Sequence, residues 1–387
     1  MTTSFAPGSE YVYLDHAATS PLRSEARAAM EPFGDVMYAN PSGSHRFARE
    51  ARRAIDEARD QIAELIGCRP GEVVFTSGGT EGANSAVLGT IRRHGGVAVC
   101  AASEHHAVLH CVEHVGGVIV PVTEQGPLSP EVMRETLAGL SDVSVVSVMA
   151  VNNETGAIND IEHISHAVRG RAERAVLHTD AVQAACWLDL RTIWPHVDVL
   201  TLSAHKFGGP KGMGVMVVRD GVHLEPLILG GGQERDRRSG THNVAGIVGT
   251  AAALALTDAH RESEVQRLGA LRDDLISGLT TRIACAVPTL QPGIGVAGIA
   301  HVCLDGLESE SVLYLLDTAN VCVSAASACA SGAMEPSHVL AAMNFPRSRI
   351  NGSLRFSLGH TTTRDDVAKA IEATVAAADR LMAVTKK

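Results

Sequence analysis

The sequence predicts an α/β fold in which helices cover both faces of a largely parallel sheet. Between residues 70 and 220, short apolar runs typical of buried strands alternate with helical stretches. This alternation favours a parallel sheet, and such sheets bind ligands beyond the carboxyl ends of their strands. A mixture of strands and helices follows and predicts a smaller α+β domain. The strands predicted for the sheet are 73–76, 97–100, 118–122, 143–149, 175–178 and 197–202.

Helix signals support the same division. An apolar stripe at helical spacing predicts one amphipathic helix over 44–66, which ends at Gly67. Ser129, Pro130 and Glu131 form a typical helix start. A long helix over 243–279 is expected to link the two domains. The second domain is predicted to contain strands at 299–304, 321–323 and 354–358, a helix over 309–318 and a final helix from Thr363.

Composition narrows the classes of function. The 387 residues are 45% hydrophobic and 20% charged, with a formal net charge of -10 and no block of like charges. This balance argues against nucleic acid as a direct partner and offers no basic face to a membrane. Residues 1–9 lack the features of a signal peptide, and no run approaches the roughly 18 apolar residues of a membrane span. We therefore expect a cytoplasmic protein.

The cysteine pattern gives no support to a metal site. None of the eight cysteines forms a CxxC pair, so metal clusters and thioredoxin-like chemistry are not predicted. Several lie in apolar strand-like runs, where a reduced thiol acts as a small core residue. Cys329 differs, because it lies among small residues without apolar periodicity, a composition typical of a loop.

Lys206 is the first candidate for chemistry. It lies in the segment Ser-Ala-His-Lys-Phe-Gly-Gly-Pro, directly after the predicted strand 197–202. A lysine that forms a Schiff base with an aldehyde cofactor needs to enter a cleft beside small polar neighbours, and this segment meets that need. A solvated loop lysine is the alternative interpretation.

A glycine-rich turn between a strand and a helix is the second candidate. The segment 76–81 reads Thr-Ser-Gly-Gly-Thr-Glu. Free backbone N–H groups at a helix start, approached closely through glycine, form an anion site. Ser203 and His205 could supply further donors to the same phosphate. A purely structural turn remains the competing account, since glycine-rich loops are common.

Three further polar residues follow predicted strands and are therefore expected at the same edge of the sheet. Asp180 could keep a pyridine nitrogen protonated, so that the ring acts as an electron sink; a helix cap is the alternative. His105 could stack on a cofactor ring and move protons, although most of the 18 histidines serve no such role. Asn153 could bond a ring hydroxyl, or simply form a turn.

These segments together resemble the cysteine desulfurases of the NifS/IscS type. Those enzymes have the class V aminotransferase fold and use pyridoxal phosphate (PLP). The matches occur in the family's order over nearly the whole chain. The matching segments are 13–19, 75–81, 104–109, 151–156, 178–183, 203–212, 230–235, 238–241, 327–329 and 353–359.

The resemblance implies a fold and an assembly. It implies the PLP-dependent transferase fold type I, with a mainly parallel seven-stranded sheet in a large PLP-binding domain over 15–255. Residues 1–14 and 256–387 would form the smaller α+β domain, which carries the catalytic cysteine loop. Because Thr241 would complete the phosphate site of the neighbouring subunit, the resemblance also implies a homodimer.

The resemblance also implies residue roles. Lys206 would bind PLP covalently and then remove the α-proton of L-cysteine, and the Cys329 thiolate would attack the substrate sulfur. The products would be alanine and a persulfide on Cys329, which is passed to an acceptor. Arg355 would clamp the substrate carboxylate, with Asn153 also at the substrate. The residues implied to contact the cofactor are Gly79, Thr80, His105, Asn153, Asp180, Gln183, Ser203, His205, Lys206 and Thr241.

The sequence departs from the family in small ways. Ala326 stands where glycine is common, which would stiffen the loop slightly, and Ser20 replaces a common threonine without expected harm. The segment 325–338 looks like the longer catalytic loop of the NifS/IscS subgroup, which favours cysteine over selenocysteine or cysteine sulfinate. The acceptor stays open among iron–sulfur assembly, tRNA thiolation, DNA phosphorothioation and thio-cofactor pathways.

Alternative functions fit the sequence less well. A selenocysteine lyase or a small-amino-acid aminotransferase shares the fold, but an aminotransferase has no use for the Cys329 thiol. A non-catalytic sulfur-relay scaffold would not need Lys206, Asp180 and His105 together. A nucleotide-binding protein is not supported, because the glycine-rich turn lacks a complete GxxxxGK[ST] pattern.

Overall fold

The computed structural model describes residues 11–325 and 336–385. The chain forms two compact units. We call Thr19–Asn152 with Ala157–Glu262 the sheet unit, and the described residues of Met1–Ala18, Asn153–Gly156 and Ser263–Lys387 the terminal unit.

A seven-stranded sheet forms the centre of the sheet unit, in the spatial order β2-β8-β7-β6-β5-β3-β4. Strand β8 is antiparallel to both of its neighbours, and the other strand pairs are parallel. The predicted fold is thus confirmed. The strands are β2 Val73–Thr76, β3 Val97–Ala101, β4 Val118–Val120, β5 Val143–Ser147, β6 Val176–Asp180, β7 Val199–Ser203 and β8 Gly214–Val218.

Helices pack on this sheet, and they occupy the helical stretches that alternate with the predicted strands. Ser129 caps α6, because its Oγ accepts a hydrogen bond from the backbone N–H of Glu131 at 3.2 Å, as the sequence predicts. One apolar cluster joins α4 and α5 to the sheet and includes Val87, Val108 and Val145. The helices are α1 Ser24–Met30, α2 Pro32–Asp35, α3 Arg46–Ile66, α4 Gly79–His94, α5 His106–His114, α6 Pro130–Ala138, α7 Ile161–Arg169 and α8 Leu190–Ile193.

Helix α3 begins at Arg46, two residues later than the sequence predicts, since His45 caps it through a bond from Ala48 N–H. It ends at Gly67, whose φ of 80° is a conformation that favours glycine. The predicted stripe is largely buried, yet the same face also buries Arg59. A charged residue on a buried face requires a partner. That partner is Glu234, which lies in residues 230–241, called here the Thr241 segment.

The terminal unit holds two small sheets. Strand β10 pairs antiparallel with β9 and β12, and β1 pairs parallel with β11. Helix α9, Val244–Arg282, begins in the sheet unit and continues into the terminal unit; the predicted domain division at residue 255 stays a proposal. No helix among the described residues is long and apolar enough to cross a membrane. The other elements of the terminal unit are β1 Val12–Tyr13, β9 Ala286–Pro288, β10 Ile299–Leu304, α10 Ser309–Thr318, β11 Val321–Cys322, α11 His338–Ala342, α12 Arg347–Ile350, β12 Ser353–Ser357 and α13 Arg364–Thr385.

Candidate active site

The carboxyl ends of six strands lie at one edge of the large sheet. Strands β3, β4, β5, β6 and β7 are parallel. Strand β2 runs the same way, because β8 is antiparallel to both β2 and β7. Gly214 of β8 lies in register with Thr76 on one side and with Ser203 on the other. The segment that carries Lys206 and the glycine-rich turn therefore begin on either side of Gly214, at the same edge of the sheet.

Lys206 ends a short 3-10 turn, Ala204–Lys206, that directly follows β7. Two side chains fix its backbone: Ser20 Oγ donates to the Lys206 carbonyl at 3.2 Å, and Cys186 Sγ lies 3.7 Å from the same oxygen. The Lys206 side chain is half-buried. The Ser20 hydroxyl therefore helps to position the loop of the proposed catalytic lysine. A threonine hydroxyl could donate in the same way, so the replacement is still expected to be harmless.

Asp180 lies on β6, the strand beside β7, in register with Thr201. The sequence placed it after a strand that ends at His178; that boundary is wrong, because Asp180 is itself the last residue of β6. Its Oδ1 accepts a hydrogen bond from Val182 N–H at 2.9 Å. Burial raises the pKa of Asp180 to about 6, although this hydrogen bond and the charge of Lys206 oppose the rise. Gln183, also buried, lies in the same turn.

The glycine-rich turn meets the Asp180 turn closely. Gly79 is the first residue of α4, so its N–H and that of Thr80 are free of intrahelical partners. A Cβ at Gly79 would lie 2.5 Å from Val182 Cγ2 and 3.6 Å from Ser203 Cβ. Only glycine allows these segments to approach so closely. The glycine-rich turn, the turn that follows Asp180 and Ser203 therefore lie close together.

The two predicted histidines have different surroundings. His205 Nδ1 lies 3.1 Å from Thr19 Oγ1. Burial, Lys206 and Lys211 lower its pKa to about 4, so His205 is neutral at physiological pH. His105 caps α5, and its Nδ1 accepts from Ala107 N–H at 3.1 Å. The proton of the neutral His105 ring is therefore assigned to Nε2.

Glu104 is a residue that sequence reasoning missed. It is fully buried immediately before His105, and its Oε1 accepts from Met149 N–H at 2.5 Å. Burial, and then the charge of Asp180, raise the pKa of Glu104 well above its ordinary value. The Glu104 carboxyl thus joins the segments that follow β3 and β5. The only signal in the sequence was its position in the Ser-Glu-His-His segment.

Arg355 and Asn153 lie in the terminal unit. Arg355 is buried on β12, where its Nη1 donates to the Asn153 carbonyl and its Nη2 to Asp15 Oδ1, each at 2.8 Å. Asp15 was not predicted as a site residue, although it lies in a matching segment. This ion pair holds the guanidinium in one orientation.

The remaining predicted residues are exposed or lie outside the described structure. Thr241 is exposed in the sheet unit. Cys329 and Ala326 lie outside the described residues, so the predictions for them are not addressed by the structure. At the sheet edge the structure brings together Gly79, Thr80, His105, Asp180, Gln183, Ser203, His205 and Lys206.

Comparison with known proteins agrees with this geometry. The family model of the class-V aminotransferases matches residues 12–369. A cysteine desulfurase IscS of Dictyoglomus turgidum is 41% identical over 364 residues, which cover 92% of this chain and 91% of the relative. A NifS-like protein of known structure superposes with a TM-score of 0.88 at 30% identity, covering 95% of this chain and 98% of the other. SspA, solved in complex with cysteine, superposes with a TM-score of 0.77 at 30% identity, covering 89% and 98%.

The chain therefore belongs to the aminotransferase class-V family of enzymes. Within that family its full-length relatives place it among the cysteine desulfurases of the NifS/IscS type. The predicted resemblance and the predicted enzyme class are confirmed.

Proposed function

We propose that this chain converts L-cysteine to L-alanine and passes the sulfur, through a persulfide on Cys329, to an acceptor protein. The observation that carries the proposal is the common sheet edge at which Lys206, Asp180 and the glycine-rich turn meet. A lysine amine, a buried carboxylate and a set of anion donors are the three groups that a phosphorylated pyridine aldehyde requires.

The residues present fit pyridoxal phosphate. The close approach that glycine allows at position 79 leaves backbone N–H groups for an anion, beside Ser203 and the neutral His205. Asp180 is buried with one oxygen held by Val182 N–H. A cation beside a buried carboxylate favours its ionised form, so a protonated ring nitrogen suits this position. Gln183, Asn153 and the ring of His105 complete the proposed set.

Each residue has a defined task in the proposed reaction. Bound pyridoxal phosphate supplies an electron sink that stabilises negative charge at the substrate α-carbon. Arg355 binds the substrate carboxylate, and the Asp15 ion pair keeps its guanidinium in place. Lys206 Nζ accepts the α-proton and returns a proton to carbon. His105, whose Nε2 carries the ring proton, is placed to donate or accept a proton.

The sulfur step uses one thiolate of the protein. The Cys329 thiolate attacks Sγ of the substrate, so a sulfur–sulfur bond forms while the Cβ–Sγ bond breaks. The electron pair of the broken bond stays with the carbon skeleton, which takes up a proton and leaves as alanine. The persulfide then transfers its outer sulfur to the thiol of an acceptor, and Cys329 is regenerated. Thiolates rather than thiols perform such attacks.

Replacement of Cys329 by serine is expected to abolish the release of both alanine and sulfide. The hydroxyl is too weak a nucleophile to form the persulfide, while cofactor binding should be unchanged because Lys206 and Asp180 remain. Alanine, sulfide and keto acids are measured together, with L-cysteine and L-selenocysteine as substrates. Cys285→Ser is the matched control, since burial raises the pKa of that thiol. Full turnover by the Cys329 variant, or keto acid as the main product, would contradict the proposal.

Replacement of Arg355 by lysine is expected to lower kcat/KM for L-cysteine by roughly 30-fold, because losing a charged hydrogen bond costs about 2 kcal/mol. The effect should appear mainly in KM, since the lysine keeps the charge but loses the planar fork. Arg349→Lys is the control: Arg349 pairs with Asp305 on the surface of the same unit, at 2.9 Å. Equal kcat/KM values in the Arg355 variant and the control would show that Arg355 does not bind the substrate carboxylate.

The proposal includes a homodimer in which Thr241 of one subunit supports the phosphate site of the other. It also includes a cytoplasmic location. Seven cysteines among the described residues are outside disulfide bonds, as is usual in a reducing compartment. Gel filtration with light scattering tests the dimer, and capture of the persulfide form with candidate acceptors tests the last transfer.

A further inference from the structure

The carboxylate of Glu81 links the Thr241 segment to the glycine-rich turn. Glu81 lies in the first turn of α4. Its Oε2 accepts a hydrogen bond from Ser77 N–H at 2.8 Å, and Ser77 opens the turn that leads to Gly79. Its Oε1 accepts from Arg238 Nε at 2.9 Å, and Oε2 also accepts from Arg238 Nη2 at 3.3 Å. One side chain therefore bridges two segments far apart in sequence.

This bridge is ionic and partly shielded from water. The exposed fractions of the Glu81 and Arg238 side chains are 11% and 27%. Burial alone would raise the pKa of Glu81, but the hydrogen bonds from Arg238 and Ser77 lower it below its ordinary value. Glu81 is thus ionised at neutral pH, and a two-point arginine–carboxylate contact restricts orientation as well as distance.

The chain between Arg238 and Thr241 transmits this restraint. Ser239 is buried, and its N–H donates to the Ile228 carbonyl at 3.1 Å. Gly240 has φ of 122°, and its N–H donates to Gln233 Oε1 at 2.8 Å. These two bonds hold the backbone between Arg238 and Thr241, and the Glu81–Arg238 contact adds a third restraint to the same short segment. Loss of that contact would therefore loosen the position of Thr241.

We propose that Glu81 is a positioning residue that sets two phosphate-binding elements at once: the glycine-rich turn of its own subunit and, through Arg238, the Thr241 segment that serves the neighbouring subunit. The inference rests on the proposed function, since it takes both elements to bind the phosphate of pyridoxal phosphate. In this proposal Glu81 contacts neither the reacting atoms nor the phosphate, and it acts only by placing the two elements that bind the phosphate. Its replacement should therefore weaken the binding of the phosphate group selectively.

The test compares two ligands that differ only in the phosphate. The full-length chain is freed of cofactor and titrated with pyridoxal phosphate and with pyridoxal, following absorbance, for the wild type, Glu81→Gln and Arg238→Gln. We expect each variant to weaken pyridoxal phosphate binding about tenfold, as loss of one charged contact does, and to change pyridoxal binding less than about twofold. The double variant should be no weaker than either single variant, because both remove the same contact. Glu225→Gln, an exposed acid of the same unit, is the matched control.

The outcomes separate this inference from the proposed function. Wild-type protein that binds no pyridoxal phosphate and releases no alanine would overturn the proposed function itself. Active wild-type protein with unchanged pyridoxal phosphate affinity in both variants would overturn only the role of Glu81. An equal loss for both ligands would also overturn it, since that result indicates a general structural effect. Thermal unfolding of the cofactor-free variants shows whether each one folds.

Discussion

Replacement of Lys206 by alanine is expected to abolish covalent attachment of the cofactor and to lower turnover at least ~1000-fold. The lysine supplies both the attachment point and the base that takes the α-proton, so neither task remains. The fold should survive, because Ser20 and Cys186 hold the Lys206 carbonyl rather than its side chain. This variant therefore separates the chemistry from the structure.

Borohydride reduction followed by peptide mass analysis measures the attachment directly. Wild-type protein should retain the mass of reduced pyridoxal phosphate on the peptide that contains Lys206, and the alanine variant should retain none. Lys211→Ala is the matched control, because Lys211 is exposed five residues further along the same loop and should leave the attachment intact. Attachment that persists at another lysine in the Lys206 variant would overturn the assignment.

The strand–helix alternation predicted the parallel part of the sheet, but it could not predict where β8 lies. Strand β8 enters the sheet antiparallel between β2 and β7. Its position depends on hydrogen bonds to strands distant in sequence, which apolar periodicity does not report. Strand β6 was predicted too short for a related reason. Its last two residues, Thr179 and Asp180, are polar yet buried, and a pattern based on apolar residues ends before them.

The motifs predicted the residues at the sheet edge, but not the residues that hold them. The hydrogen bond that Ser20 makes was not predicted, and Glu104 and Glu81 were not singled out as functional. Each acts through a contact between segments: Ser20 with the Lys206 carbonyl, Glu104 with Met149 N–H and Glu81 with Arg238. Such contacts depend on the tertiary fold, so a single sequence gives no direct signal for them.

Arg59 also has a partner that a single sequence does not reveal, and its buried ion pair has a larger expected effect on stability. On helical spacing alone it falls on the apolar face of α3, where a charged residue is not expected. Its partner Glu234 follows 175 positions later in the sequence. The Glu234 carboxylate accepts from both terminal nitrogens of Arg59, at 2.7 and 2.8 Å, from Phe75 N–H at 2.9 Å and from His242 Nε2 at 2.7 Å. Glu234 is thus the junction of α3, β2 and the Thr241 segment.

Replacement of Glu234 by alanine is expected to destabilise the protein by about 3–5 kcal/mol, because it leaves a buried arginine without its counter-charge. The carboxylate also holds a strained backbone, since Glu234, Arg235 and Asp236 all have positive φ between 50° and 64°. Urea unfolding followed by circular dichroism measures the loss. Glu372→Ala is the control: it breaks a surface pair with Arg282 and should change the midpoint little. Equal midpoints for the two variants would show that the buried pair does not stabilise the fold.

The same pair predicts how stability depends on pH. Burial alone would raise the pKa of Glu234, but hydrogen bonds from Arg59 and His242 lower it from 4.5 to about 2. A carboxyl whose pKa is depressed in the folded state stabilises that state above its unfolded pKa, and the stabilisation is lost as pH falls. Wild-type protein should therefore lose this contribution between about pH 5 and 2, whereas the alanine variant has no such contribution to lose. The difference in unfolding free energy between the two proteins should then shrink as acid is added. A difference that stayed constant down to pH 2 would mean that the pKa of Glu234 is not depressed in the folded protein.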